Sequence, residues 1–182
     1  ILDIGCGMGL ALRDMKRIDP DAEVSGLSAE QEPVQFEADN MHYLTAERVP
    51  ADFAGRFDVI LSNISFRYHL FPNLSLRNVI LSLSRGGHAE IGFSYDRVPS
   101  EEPYRSYFKE LVPEVATTDK EGYIAYNATE VLVAREFSRL EELEAAGKLK
   151  LTTGSYFKKQ GCQGWLIIDK LDDIGPDDFL NL

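Results

Sequence analysis

Two cysteines in 182 residues, Cys6 and Cys162, cannot build a disulfide framework, which excludes the small secreted scaffolds. No apolar run approaches the roughly 20 residues that span a bilayer. No basic stretch with a cleavage pattern marks a targeting signal. Three histidines, His42, His69 and His88, show no ligand spacing, so no metal centre is expected. Internal repeats and low-complexity stretches are also missing. Positive charge is scarce: 19 basic residues face 30 acidic ones, for a net charge of −11. The acidity is spread along the chain. Such a protein is repelled by phosphate backbones and anionic lipid. Nucleic acid and membranes are therefore not expected as partners, and a neutral or cationic small molecule fits better. The default setting is reducing and cytoplasmic. Nothing in the sequence fixes the oligomeric state.

What is present is an ordinary globular mix, 44% hydrophobic and 27% charged, sized for one domain over residues 1–182. The chain begins at Ile1, inside an apolar run, which predicts a segment before this point. Ile1 to Ile4 read as the end of a buried strand. Gly5-Cys6-Gly7-Met8-Gly9 follows at once. Leu12, Met15 and Ile18 recur at helical spacing, which predicts a helix over 10–18 closed by Asp19-Pro20. Glu23 to Leu27 is a second strand. Val34 to Phe36 is a possible third strand, with Asp39 just after it. The five residues between Ser28 and Val34 are too few for a crossover helix. The alternative is that 29–40 is itself helical and the third strand lies elsewhere.

Phe57 to Leu61 is a strand, Leu74 to Leu83 a helix ended by Gly86-Gly87, and His88 to Phe93 a strand. This β-α-β order predicts an α/β fold with a mostly parallel sheet. Residues 95–136 break the rhythm, with helices predicted around 104–113 and after Asn127. Ser138-Arg139-Leu140-Glu141 reads as a capping box that opens a helix closed by Gly147. Lys148–Tyr156 and Trp165–Lys170 read as a closing hairpin, and 171–182 as a loosely held acidic tail.

The sharpest feature is Asp3-Ile4-Gly5-Cys6-Gly7-Met8-Gly9. A strand runs into three alternating glycines and then a helix. Glycine permits the sharp turn and the close approach of a ligand, and the helix start offers free N–H groups. In an open α/β sheet this loop borders the ligand crevice. The dinucleotide pattern G-x-G-x-x-G places its third glycine one position later, where this chain has Leu10.

The D-x-G-x-G-x-G pattern instead resembles motif I of the class I S-adenosylmethionine-dependent methyltransferases. Arg56-Phe57-Asp58-Val59-Ile60-Leu61-Ser62-Asn63 resembles the family's fourth strand. Leu83-Ser84-Arg85-Gly86-Gly87 resembles the lead into its fifth, with Arg85 in place of a proline. The helix and hairpin after Phe137 resemble its last elements. The resemblance spans most of the chain outside 95–136. It implies a Rossmann-like, mostly parallel sheet with helices on both faces and a C-terminal antiparallel hairpin. It also implies S-adenosylmethionine as cofactor and methyl transfer to a small molecule.

Carried over by position, Asp3 and the backbone of Gly5, Cys6, Gly7 and Gly9 would hold the methionine end of the cofactor. Asp39 would meet the adenine amino group and Met41 the ring. Asn63 and Ile64 would line the floor. The family's acidic residue at the end of the second strand, which binds the ribose hydroxyls, is replaced by Ser28, with Glu30 nearby.

The loop Ser62-Asn63-Ile64-Ser65-Phe66-Arg67-Tyr68-His69 lacks the N-P-P-Y type sequence of enzymes that methylate nucleic-acid amino groups. His69 and Tyr68 are the candidate catalytic residues, with His42 and Tyr43 behind them. Five tyrosines, Tyr95, Tyr104, Tyr107, Tyr123 and Tyr126, mark 95–136 as a lid or a substrate-side insertion. Two other readings remain open: a degenerate, non-catalytic binding or scaffolding domain, which Ser28 favours, and a nucleotide-dependent oxidoreductase.

Overall fold

Apolar residues at alternate positions set the central strands. In the computed structural model, Leu2 and Ile4 of β1 (Leu2–Ile4) point to one face of the sheet and are almost wholly buried, as are Leu27 and Ile60. The structure describes residues 1–29, 36, 38–63, 65–69, 72–94, 97–98, 117–118, 124–125, 139–158 and 161–179.

After β1 the chain forms α1 (Leu10–Ile18), β2 (Ser25–Ser28), β3 (Asn40–Tyr43) and β4 (Phe57–Asn63). Next come α2 (Pro72–Ser82) and β5 (Leu83–Ser94). Strands β6 (Arg97–Val98), β7 (Thr117–Thr118) and β8 (Ile124–Ala125) make a separate small antiparallel sheet. Helix α3 (residues 139–145), β9 (Leu149–Lys158) and β10 (Gly161–Lys170) close the fold. The main sheet has seven strands in the order β3-β2-β1-β4-β5-β10-β9. Strands β1 to β5 pair in parallel, and β10 lies antiparallel between β5 and β9.

The sheet separates two apolar layers. On one face Leu76, Val79 and Ile80 of α2 and Leu140 and Leu143 of α3 pack on Ile4, Ile60, Ile91 and Ile168. On the other, Leu12 of α1 meets Cys6 and Val24, with Met15 and Met41 against them. A fully buried aliphatic side chain contributes about 1.5–3 kcal/mol, so the larger layer dominates stability. Helix α2 ends without a linker and passes straight into β5. The junction of α2 and β5 is bound by a buried lysine far along the chain. Lys170 Nζ donates to Ile80 O at 3.1 Å and to Leu83 O at 2.7 Å. Burial lowers the pKa of this ammonium.

Three expectations change. The third strand is Asn40–Tyr43, in register with Ser25–Ser28; it thus lies elsewhere than the first of the two readings put it, as the second allowed, and residues 34 and 35 are outside the described set. Asp39 therefore precedes that strand. The 11 residues between Ser28 and Asn40 suffice for a crossover, although residues 30–35 and 37 of it lie outside the described set. The helix expected over Leu74–Leu83 runs over Pro72–Ser82, because Leu83 already pairs with Phe57. The tail is fastened rather than loose: Ile174 and Phe179 are buried, and Lys148 Nζ donates to Asp178 Oδ1 at 2.7 Å. Arg139 Nε also donates to the Asp178 carbonyl, at 2.7 Å. The helices expected near 104–113 and after Asn127 lie outside the described residues. Among the described residues no helix is long and apolar enough to cross a membrane.

Candidate functional site

The parallel strands end together at one edge of the sheet, and the glycine loop sits there. Gly5 N and Cys6 N both donate to Leu27 O, at 2.7 and 3.2 Å, which ties the loop to the end of β2. All three loop glycines have left-handed backbone, with φ of 76°, 49° and 80° at Gly5, Gly7 and Gly9. Two of them are also sterically required. A Cβ on Gly5 would stand 2.2 Å from Ser65 Cβ, and one on Gly9 would stand 2.6 Å from Phe36 O. Gly7 differs: a Cβ there would meet nothing within 4 Å. Its backbone borders open space, and a ligand can approach it closely. Gly9 starts α1 without a side-chain cap and without an acid in the first turn.

Asp3 lies just before this loop. Its side chain is buried at 6% exposure, and it has no hydrogen bond or ion pair with any described residue. Burial alone pushes the carboxyl up to about 6. A buried acid is normally partnered by its own chain.

Ser65 closes the other side of the loop. Its Oγ donates to Ile4 O at 2.9 Å and shares a 2.6 Å hydrogen bond with Ser62 Oγ. The turn after β4 is thereby stapled to the end of β1. Asn63 is the exposed last residue of β4 and lies across from Gly92. Ile64 and the side chain of Tyr68 lie outside the described residues. His69 packs on Phe66 with ring centroids 4.4 Å apart. Its Nδ1 is buried without a partner. Burial lowers the imidazole to about 4, opposed by the nearby Glu47 carboxylate. His69 is therefore neutral near pH 7. His42 stands edge-on to Phe53 at 4.9 Å, and its Nε2 is buried and unpartnered.

Ser28 ends β2 as expected and is buried. Asp39 and Met41 do not reach the places expected of them. Asp39 accepts from Val24 N and from Lys16 Nζ, each at 2.8 Å, at the start of β2 and so at the opposite edge of the sheet. Met41 is mid-strand, with its sulfur against Gly26. Both placements came from a third strand set six residues too early. The residues that do come after the third strand are Leu44, Thr45, Ala46 and Glu47. Thr45 opens a short helical turn, whose Ala46 carbonyl accepts from Asn78 Nδ2 of α2 at 2.8 Å. Sequence reasoning passed over Thr45 and Glu47 because a four-residue strand of mixed polarity gives little period-two signal.

No family model matches the chain, and no curated protein matches it. Solved structures do. The plantazolicin methyltransferase BpumL, determined with SAH, is 16% identical with a TM-score of 0.57, over 93% of this chain and 75% of its own. The Burkholderia thailandensis 1,6-didemethyltoxoflavin-N1-methyltransferase, with bound 1,6-didemethyltoxoflavin and S-adenosylhomocysteine, is 13% identical with a TM-score of 0.58, over 94% and 70%. The [4+2]-cyclase SpnF is 16% identical with a TM-score of 0.62, over 94% and 75%. The chain thus has the class I methyltransferase fold. SpnF, named as a cyclase, shows that this fold alone does not fix the reaction.

Proposed function

We propose that this protein binds S-adenosylmethionine over the glycine loop and directs methyl transfer to a small-molecule acceptor. The observation that carries the reading is Asp3, a buried carboxyl without a partner beside the open space at Gly7. The methionine end of the cofactor carries an ammonium that answers this carboxyl, and the N–H groups of the loop answer its carboxylate. Asp3 and the backbone of Gly5, Cys6, Gly7 and Gly9 hold that end. Ser28 faces the sugar and Asn63 lines the floor, where Ile64, outside the described residues, is expected beside it. Asp39 and Met41 drop out, and the stretch from Thr45 to Glu47 stands by the base in their place.

When bound, the cofactor supplies a methyl on a sulfonium, open to in-line displacement. The protein's part is alignment and, where the acceptor needs it, removal of a proton. His69 is the candidate proton acceptor and Tyr68 an orienting hydroxyl. A base held near 4 suits an acceptor that is already acidic or that needs no base at all. The tyrosine-rich stretch 95–136, expected as a lid or substrate-side insertion of the single domain, lies outside the described residues apart from 97–98, 117–118 and 124–125.

Calorimetry on the whole chain tests the reading. Saturable binding of S-adenosylmethionine or S-adenosylhomocysteine, lost in Gly7→Arg, supports it. A side chain at Gly7 meets no neighbour within 4 Å but is strained by the left-handed φ of 49°, so the fold of that variant is checked by circular dichroism. Absence of binding at millimolar ligand overturns it. A preference for a nicotinamide dinucleotide turns the assignment to an oxidoreductase. Ser28 keeps a second reading in view, a non-catalytic binding domain, which binding without turnover across an acceptor panel favours.

A further inference from the structure

We infer that the site recognises its adenosyl ligand at the amino-acid end and not at the sugar, and that Ser28 sets this tolerance. The inference rests on the cofactor reading above. In open α/β sheets the sugar hydroxyls are answered by an acid at the end of the second strand, about 20 residues beyond the glycine loop. Here that position is Ser28. Leu27 O accepts from Gly5 N and Cys6 N, so position 28 is the next residue along from the loop's own anchor.

Ser28 is buried and pairs across the sheet with Tyr43, a neutral residue. Leu44, Thr45 and Ala46 come after β3, and the first acid beyond them is Glu47. The described positions that end or follow β2 and β3 here, Ser28, Tyr43, Leu44, Thr45 and Ala46, carry no charge. At the other end of the ligand stands Asp3, buried and unpartnered. Recognition is therefore lopsided.

A carboxylate accepts from both sugar hydroxyls with charge-assisted bonds, each roughly twice as strong as a neutral one. A site built on such bonds rejects a ligand that lacks a hydroxyl, because its buried acid is left unanswered. A serine hydroxyl both donates and accepts and can turn toward its own chain. Removing one sugar hydroxyl then leaves no buried charge exposed to the loss. Removing the ligand's ammonium does, at Asp3.

The test compares four ligands by calorimetry on the whole chain. They are S-adenosylhomocysteine, its 2′-deoxy and 3′-deoxy forms, and a form without the amino group. Each deoxy ligand is expected to bind within about threefold of the parent, and the deaminated one about 100-fold more weakly. Ser28→Asp is expected to create discrimination, with the parent ligand about tenfold tighter than either deoxy form. Ser28→Glu serves the same purpose where the aspartate disturbs the fold. A loss of about tenfold or more with either deoxy ligand on the unaltered protein overturns the inference. So does a similar loss of S-adenosylhomocysteine binding in Glu30→Gln, which places the sugar on another carboxylate. Ser28 variants that bind all three sugars alike also overturn it. Failure of S-adenosylhomocysteine to bind at all is a separate result that removes the cofactor reading itself.

Discussion

Asp3 and Asp39 lie at opposite edges of one sheet and have opposite fates. Asp39 is held by Lys16 and by the backbone of Val24, and these bonds lower its pKa. Asp3 is more buried and has no partner among the described residues, and burial raises its carboxyl to about 6. The first edge is closed on itself, so its carboxylate serves the fold. At the second, burial of the carboxylate weakens the protein, and the proposed function gives it a cation to answer. On that proposal, stability and binding are divided between the two ends of the same strands.

The largest expected effect comes from making Asp3 neutral. Asp3→Asn should weaken S-adenosylhomocysteine binding about 100-fold by calorimetry. The same change should stabilise the empty protein at pH 7 by about 1–3 kcal/mol in denaturant melts, since the cost of burying a charge disappears. A variant that loses both binding and stability would place Asp3 in the fold, with Asp39.

Next in size is a pair of opposed pH effects. The Asp3 carboxyl is raised on folding, so the folded chain takes up a proton between about 6 and 3.8 that the unfolded chain does not. Stability from this group grows as pH falls. His69 is lowered from 6.5 to about 4, so the unfolded chain takes the proton first and stability falls with pH. In the native protein the two largely offset each other. His69→Gln should make the denaturation midpoint rise from pH 7 to pH 5, and Asp3→Asn should make it fall, each by about 1–2 kcal/mol.

The tail offers a smaller test. Asp178→Ala removes the partner of Lys148 and of Gly175 N and should cost about 1 kcal/mol, with binding unaltered. Its carboxyl is lowered mainly by the Lys148 hydrogen bond, so that contribution is present at neutral pH and lost as pH falls through the lowered value. Smallest of all is Asp39→Ala, which should lower the melting temperature measurably while leaving ligand affinity within about twofold. A marked loss of affinity there would return Asp39 to the site.

The order of strands and helices was legible because long apolar elements carry their own period. Helix α1 has the bounds its spacing implies, and Phe57 to Leu61 lies within β4. The glycine loop was legible for a steric reason: few other chemistries need three alternating glycines after a buried strand. The third strand was not. Asn-Met-His-Tyr is short, lies at a sheet edge and is mostly half-buried, so neither face is strongly apolar. That slip carried Asp39 and Met41 with it. The tail misled for a different reason. Four acids in twelve residues read as solvated, yet Ile174 and Phe179 anchor it and Asp178 is paired.

The placement of β10 bears on how the molecule is made. Strand β5 is an inner strand of the finished sheet, but one of its sides is filled by residues 161–170, far along the sequence from it. A growing chain therefore carries β5 with a bare edge until residues 161–170 have been made. The same late strand brings Lys170 to the junction of α2 and β5. An unpaired inner strand invites pairing with other chains. The main sheet is therefore sealed by β10, and synthesis of that strand, more than growth of the first strands, marks the moment at which β5 becomes safe from aggregation.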